Sequence, residues 1–488
     1  LKTQKEAHWM PILVWMAIIL PIASLAIATI RTILFKSRTT SIQPPLESEF
    51  TEIEQSAEHL SKAVSYPTIS TGEASAFTSL HSFLADTYPG IHSHLEKIET
   101  GNERNLVFRW KGTDDSLQPA LLMAHQDVVP ADESDRWTYP PFSETIQEGF
   151  VWGRGSFDAK GQLIAIAEAV ERLVSSGRTP RRTWYLAFGC DEETGGHQGA
   201  ASIVEYCKRN GIRFAFVLDE GGVVAEGFVR GIGVPVAVVG IAEKGNVNIE
   251  LKCTKAGGHS SSPANPTATG ILGKAIWKIE KKKWPAHVGY PIRNLLWTLG
   301  THAPFHLSLF LLNYWLFKPV ILKIFKSNPT MNALVRTTMA VTMMEASHAP
   351  NIISNTATAV VNARPLPEET TEEILQRLEK AISDERVEMT VLSDSTRSKV
   401  SSLEGEGFRL ISAAIQQTFA ATPTSYLMAG GTDALHYEAV CDHVYRFTPV
   451  VMDSGELSRM HNIDERLSLE NLKRAVHFYM TLILLDSE

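Results

Sequence analysis

Cysteine is nearly missing from this chain. Its four thiols, Cys190, Cys207, Cys253 and Cys441, among 488 residues are too few and too scattered for a disulfide framework or a thiolate zinc site. They read as buried thiols. Excess positive charge is missing as well: the formal net charge is -8, and no glycine-rich phosphate loop of the Walker type occurs. Nucleic acid is therefore excluded from the expected partners. Asn265 and Asn328 are each followed by proline, which leaves no usable N-glycosylation sequon. No internal repeat or low-complexity tract is visible, which excludes solenoids and disordered arrays.

What is present is an enzyme-sized chain with one unusual end. With 44% hydrophobic and 20% charged residues, it can bury a large core, divided over two domains after its first segment. That segment carries a long hydrophobic run, uncharged from Met10 to Ile30 and flanked by Lys2, Lys5, Arg31, Lys36 and Arg38. Its length suits one membrane crossing of about 20 residues. The sequence favours an uncleaved single-pass anchor over a cleaved signal, although Ala26-Ile27-Ala28 also reads as a cleavage site. An anchor places the catalytic body on the extracytoplasmic or lumenal side of a membrane; cleavage makes the protein secreted.

Beyond a polar linker, strand and helix signals alternate to about residue 240. The clearest helix is GQLIAIAEAVERLVSSG, apolar at three and four spacing and stopped by Gly177. This alternation predicts an α/β fold: a mixed, mostly parallel sheet with helices on both faces. After Glu243 the texture becomes strand, helix and strand, as in an α+β layer with one exposed sheet face. The expected division is an anchor or signal segment at 1–36, a linker at 37–48 and a first catalytic part at 49–243. An inserted α+β lid at 244–394 and a second catalytic part at 395–488 complete it.

The chemistry lies where short apolar runs stop. His125, Asp127, Asp158, Glu192, Glu193, Asp219 and the distant His461 fall at or just past predicted strand ends, the edge of an open α/β sheet where sites are built. Imidazole and carboxylate donors without thiolate suit a hydrolytic zinc site, and an odd number of carboxylates suggests that one bridges two metals. Asp127, two residues past His125, shares its face if the strand continues, and its carboxylate then fixes the His125 tautomer. Adjacent Glu192 and Glu193 repel as bare anions. One on the metal and one shuttling protons resolves the conflict.

Each cluster alone has a simpler explanation. Twin glutamates commonly open a helix, Asp158 can cap the next one, and Asp219-Glu220-Gly221-Gly222 reads as a turn. Their recurrence after separate apolar runs argues against coincidence. A calcium-holding, membrane-tethered binding module fits poorly with two histidines among the donors. A catalytically dead receptor predicts missing ligands, and none is missing.

The stretches AHQDVVP, WGRGSFDAKG, GCDEETGG, LDEGG, AGGHSS, GGTDA and HNIDE together resemble the di-zinc metallopeptidase family that includes aminoacylase, carboxypeptidase G and vacuolar carboxypeptidase S. SLQPALLMAH, AEKG and the insert ending in NPTMNALVRTT lean toward the branch of carboxypeptidase S and N-fatty-acyl-amino-acid synthase/hydrolase. The resemblance implies two Zn2+ per chain, with His125 and Asp219 on one, Glu193 and His461 on the other, and Asp158 bridging. It implies Glu192 as general base, Asp127 orienting His125, and His259 stabilising the oxyanion, often across a dimer interface of the lid. Arg364, Asn351, Gly430 and Gly431 match positions that bind the substrate carboxylate, and a guanidinium fork suits that role. Ala159 stands where many members carry Asp, Asn or Met, and a cis peptide is implied there.

The implied reaction cleaves the amide bond of N-acyl amino acids, long-chain ones included and reversal allowed, or C-terminal peptide bonds. Water between the metals attacks with a glutamate as base. The alternative is a carboxypeptidase or dipeptidase of short peptides, and a non-catalytic tethered protein ranks below both. Expected partners are the small-molecule substrate, the membrane and a second copy through the lid. The insert GTHAPFHLSLFLLNYWLF is uncharged from Gly300 to Phe317, which fits buried lid helices or a dimer surface first and, ranked after them, an acyl-chain groove or membrane contact.

Overall fold

The strand Ala120–His125 is buried at every residue, and so is its neighbour Trp184–Gly189. Such continuous apolar runs are what a sheet covered on both faces requires. The computed structural model describes residues 2–36, 53–132, 134–226, 232–395 and 397–487. The expected linker at 37–48 lies outside the described residues.

The two strands belong to an eight-stranded mixed sheet. Its order is Glu96–Ile98, Leu106–Trp110, Trp184–Gly189, Ala120–His125, Phe216–Ala225, Val444–Met452, Val236–Glu243, Thr422–Met428. The three strands Trp184–Gly189, Ala120–His125 and Phe216–Ala225 run parallel, and Val444–Met452 extends them in the same sense. The strands Glu96–Ile98 and Leu106–Trp110 pair antiparallel at one side. Alternate side chains feed two cores, as a strand period of two demands. Leu122, Leu186 and Leu218 pack with the helices Lys160–Ser175, Glu406–Phe419 and Leu469–Leu485. Leu121, Met123, Tyr185 and Val217 pack instead with Ile203, Val204, Cys207, Tyr437 and Val440. The expectation of a mostly parallel sheet with helices on both faces holds.

All four cysteines are free and buried. The predicted helix GQLIAIAEAVERLVSSG is Lys160–Ser175, and Gly177 follows it with φ 74°.

The chain leaves the large sheet after Val236–Glu243 and returns to it at Thr422–Met428. Between them it builds an antiparallel four-stranded sheet in the order Thr338–Glu345, Thr356–Arg364, Val247–Thr254, Val387–Asp394. One face is buried under the helices Ala268–Lys281 and Thr371–Ile382, through Val247, Ile249, Leu251 and Cys253. A capping box of Thr370 and Glu373 starts the second helix.

The apolar insert becomes helices: Tyr290–His302, Phe305–Leu311, Tyr314–Phe325 and Pro329–Ala333. Ile292, Leu296, Ile321 and Phe325 join Ala242 and Leu427 in a separate core. Asn294 Nδ2 donates to Ser425 Oγ at 3.0 Å, and Ser425 Oγ donates to Pro291 O at 2.8 Å. The insert thereby covers the edge strand Thr422–Met428, which would otherwise expose unpaired backbone.

The first helix runs from Lys2 to Lys36, and its 22-residue stretch Trp15–Lys36 is long and apolar enough to cross a membrane. Ala28 and Thr32 of that stretch are buried against the insert helices.

Candidate active site

His125 ends its strand level with Gly189 of the next, so the Glu192-Glu193 turn starts just past the same sheet edge. Leu122 pairs with Leu218, which brings Asp219 and Glu220 to that edge from the other side. Parallel strands of equal register therefore converge three sequence clusters without any long side chain reaching across.

Asp158 is the centre of the cluster. Its Oδ1 lies 2.9 Å from His125 Nε2 and its Oδ2 lies 2.9 Å from His461 Nε2. Glu220 Oε1 lies 3.4 Å from His125 Nε2, and Glu193 Oε1 lies 3.2 Å from His461 Nε2. The peptide bond from Asp158 to Ala159 is cis. His461 reaches the cluster from a turn, with φ 58° in the left-handed region that histidine enters more readily than most residues.

The Asp127 carboxylate has a job the sequence did not suggest. Its Oδ1 accepts the Glu192 N–H and its Oδ2 the Glu193 N–H, each at 3.1 Å, while Ser70 Oγ donates to Oδ2 at 2.6 Å. It caps the short helical turn that carries both glutamates. His125 Nδ1 is closer to the Asp127 backbone carbonyl, at 2.8 Å, than to its carboxylate, at 3.5 Å.

Electrostatics follow from crowding acids out of water. Burial pushes the Glu192 carboxyl well above the usual range, helped by Glu220, Asp433 and Asp158 and opposed by His125. Burial likewise pushes Glu220 up to about 8. Burial works against ionised Asp158, yet hydrogen bonds from His125 and His461 hold it well below the carboxylate range. Hydrogen bonds to Asp158 and Glu193 raise His461 to about 10.

This donor set fits metal ions. His125, Glu192 and Glu220 offer ligand atoms all within 4.8 Å of one another, and so do His125, Asp158 and Glu193. Glu193 Oε1 is buried with only the His461 ring, at 3.2 Å, beside it, a carboxylate oxygen and an imidazole nitrogen placed to share a cation. Nitrogen and oxygen donors without sulfur suit zinc in a hydrolytic site.

Asp219 and Glu220 lie side by side at this edge, with different partners. Asp219 Oδ1 accepts the Glu220 N–H at 2.8 Å and its Oδ2 accepts the Ala434 N–H at 2.9 Å. Glu220 Oε1 lies 3.4 Å from His125 Nε2, and the buried Asp219 carboxylate also feels the His125 ring while tying its strand to the segment after Gly430 and Gly431. The strand is irregular here, where its register against Val444–Met452 shifts between Asp219 and Gly222, so simple alternation does not separate the two acids.

Of the remaining predicted residues, Gly430 and Gly431 lead into Asp433 and Ala434 beside the cluster, while His259, Asn351 and Arg364 belong to the second sheet and its ribbon. His259 and Asn351 border one open cleft, where the pair Gly258–His259 and Ile352–Ile353 forms a two-stranded ribbon. Both are exposed, and His259 Nδ1 lies 2.8 Å from Ser261 Oγ. Arg364 Nε donates to Asn362 Oδ1 at 3.2 Å, half-buried on the second sheet. Gly430 and Gly431 lead into Thr432, whose hydroxyl donates to Glu243 Oε2 at 3.2 Å. Glu243 also takes Arg446 Nε at 2.7 Å, and Arg446 Nη2 reaches Glu438 Oε1 at 3.2 Å. This fully buried acid–arginine–acid row lies beneath the Gly430 segment, and the sequence reading missed it. It also missed Glu465, whose Oε1 accepts the N–H groups of Gly155, Phe157 and Asp158.

Comparison with known proteins gives the same direction. The family model "Peptidase family M20/M25/M40" matches residues 121–485. The chain is 38% identical to a probable carboxypeptidase S-like 2 of Dictyostelium discoideum, over 91% of this chain and 89% of that protein. It is 37% identical to the N-fatty-acyl-amino acid synthase/hydrolase PM20D1 of Xenopus tropicalis, over 88% of this chain and 86% of that protein. Among solved structures, the metallo-carboxypeptidase Sso-CP2 of Sulfolobus solfataricus superposes with a TM-score of 0.64 at 17% identity, covering 90% of this chain and 100% of that one. That likeness shows the fold; the family is one of dinuclear metal-binding peptidases. By sequence and by fold, the chain belongs to the M20 peptidase family and is a hydrolase of amide or peptide bonds.

Proposed function

We propose that this protein is a two-zinc hydrolase that releases an amino acid from N-acyl amino acids, long acyl chains included. The observation that carries the two-metal reading is Asp158, whose two oxygens each lie 2.9 Å from a different imidazole. In this reading Asp158 would bridge two metals, His125 and Asp219 would hold one, with Glu220 beside His125 as the other candidate acid, and Glu193 and His461 would hold the second. When bound, the metals polarise the scissile carbonyl and acidify the attacking water.

The chain's own residues do the rest. Glu192 takes the proton of the attacking water and hands it to the leaving amine; a buried carboxyl with a raised pKa suits both halves of that task. Asp127 fixes the turn on which Glu192 sits. Arg364 and Asn351 bind the substrate carboxylate with the Gly430-Gly431 backbone, and His259 stabilises the oxyanion when the second sheet closes as a lid, alone or in a dimer. Burial lowers the Arg364 pKa, as for a cation awaiting an anion.

Acyl amino acids are favoured over short peptides by the likeness to the Xenopus synthase/hydrolase and by the apolar insert. A carboxypeptidase of short peptides is the second reading, favoured by the likeness to the carboxypeptidase S-like protein. The stretch Trp15–Lys36 is read as a membrane anchor that holds the body on the lumenal or extracytoplasmic side. The test is a metal-replete activity panel of dipeptides against N-acyl amino acids of rising chain length. Higher kcat/KM on long acyl chains is expected; preference for dipeptides would transfer the assignment to the second reading. Glu192→Gln should abolish hydrolysis with both metals retained, and full activity would sink the proposed base.

A further inference from the structure

Between Glu280 and Glu345 the sequence holds no acidic residue and eight lysines and arginines, in a chain whose net charge is -8. The same stretch carries the insert helices, and large apolar side chains stand exposed on them: Tyr290, Trp297, Phe305, Trp315, Val320 and Ile324. Arg293, Lys318, Lys323 and Lys326 are exposed among them. Apolar surface on this scale marks a contact surface. Tryptophan and tyrosine mixed with lysine is the composition of a membrane interface, not of a dry protein contact.

The insert helices are too short to cross. Tyr314–Phe325 has 12 residues and meets Phe305–Leu311 at a bend of 94°. At about 1.5 Å per residue, such a helix falls well short of a bilayer core about 30 Å thick. Bent by 94° against its neighbour, it suits a place along the interface.

The first helix fixes where that interface is. Asn313 Nδ2, fully buried, donates to Ala28 O at 3.1 Å and to Thr32 Oγ1 at 3.0 Å. Lys36 Nζ donates to Thr301 O at 3.4 Å and Ser308 Oγ at 3.3 Å, and Phe35 packs edge-on against Trp297 at 6.3 Å. The end of the apolar helix and the insert are one packed unit. Where the helix leaves the hydrocarbon, the insert meets the head groups.

We propose that the insert helices from Tyr290 to Phe325 form a platform seated in the interface of an anionic bilayer, an inference that rests on the anchor reading of the first helix. Their basic side chains meet acidic head groups, and their aromatic and aliphatic side chains enter the acyl boundary. A second copy of the chain is the poorer occupant, because two surfaces with the same excess of positive charge repel. The platform shares a core with Ala242 and Leu427, at the ends of the strands that lead to Lys244 and Gly430. Amphiphiles lying in the bilayer thus have a short route to the catalytic edge.

The test uses the full chain in lipid nanodiscs, with an environment-sensitive fluorophore on single introduced cysteines at Ile22→Cys, Trp297→Cys, Val320→Cys or Leu392→Cys. The four native cysteines are buried, which directs the label. Leu392, exposed on the second sheet, is the control. Spin-labelled lipid should quench positions 22, 297 and 320 and spare 392. Lys318→Glu/Lys323→Glu/Lys326→Glu should reduce quenching at 320 several-fold in phosphatidylserine discs and leave position 22 unchanged. Hydrolysis of a short soluble substrate by each variant verifies folding. Quenching at 22 with positions 297 and 320 as dark to lipid as 392 would overturn the platform and leave the anchor standing. No quenching at any position would overturn both. Quenching at 297 and 320 without 22 would remove the anchor on which the platform rests and overturn the proposal as stated, leaving a peripheral lipid contact. Energy transfer between labels at 297 on two chains, without lipid quenching, would give the face to a second copy and overturn the proposal.

Discussion

Glu465 Oε1 accepts the backbone N–H of Asp158 at 3.1 Å across 307 residues of chain. The same oxygen takes the N–H groups of Gly155 and Phe157, each at 3.0 Å, and the other oxygen takes Arg154 Nη1 at 2.6 Å. Glu465 is four residues past His461, so one side chain locks the loop carrying Asp158 to the segment carrying His461.

Glu465→Gln should therefore act on metal binding and not only on folding. An amide still accepts from the loop, but it leaves the Arg154 charge buried and unpaired, a defect that costs about 3–5 kcal/mol in other proteins. The expected outcome is a lower melting temperature together with weaker metal retention during dialysis, measured by elemental analysis. Unchanged metal affinity in a destabilised variant would reduce Glu465 to a structural role.

Asp219 and Glu220 should separate cleanly. If Glu220 is the metal ligand, Glu220→Gln removes a carboxylate 3.4 Å from His125 Nε2 and should reduce the metal content toward one per chain, with a large loss of kcat. Asp219→Asn then weakens hydrogen bonds to the Glu220 and Ala434 N–H groups and should keep both metals. Reversal of this pattern would make Asp219 the ligand and leave Glu220 as its neighbour.

Asp127→Ala should misplace Glu192 by removing the acceptors of two turn N–H groups. Lost caps of this kind cost about 0.5–2 kcal/mol. A fall in kcat with little change in KM is expected, since the proton acceptor moves while the substrate site stays. Equal loss of metal and activity would place the defect at His125 instead.

The metal-free protein should lose stability as pH rises from about 5 to 7. Glu220, raised to about 8 by burial, holds its proton in the folded chain and releases it near 4.5 when unfolded. His461, raised to about 10 by Asp158 and Glu193, contributes stability below its unfolded value of 6.5 that is lost as pH rises toward 10. Both groups bind more protons folded than unfolded, so their contribution to the slope is negative from about pH 5 to 10, opposed above pH 7 by Lys160 and Lys244, which burial lowers to about 7. Asp158 is depressed, and its stabilisation is already complete above pH 4. Thermal melts of chelated protein at pH 5 and 7 should differ by several degrees, at about 2–4 °C per kcal/mol for a domain of this size. Metal should narrow the gap by replacing the protons. A flat or rising profile would show that the cluster is not protonated when empty.

The sequence alone determined the chemical inventory. Apolar runs ending in His125, Glu192 and the Asp219-Glu220 pair showed that strand ends carry ligand-type groups, and the motif set named the family, because both are local patterns. The run before Arg31 likewise announced the apolar helix. Tertiary structure decided which partners each acid meets. Asp219 and Glu220 are chemically alike and adjacent, and only the fold brings Glu220 Oε1 to 3.4 Å from His125 Nε2 and gives Asp219 the Ala434 N–H. It also decided that Glu465 holds the Asp158 loop and that Asn313 grips the first helix. Those bonds join residues hundreds of positions apart, and no periodicity in one dimension records a distance closed by folding.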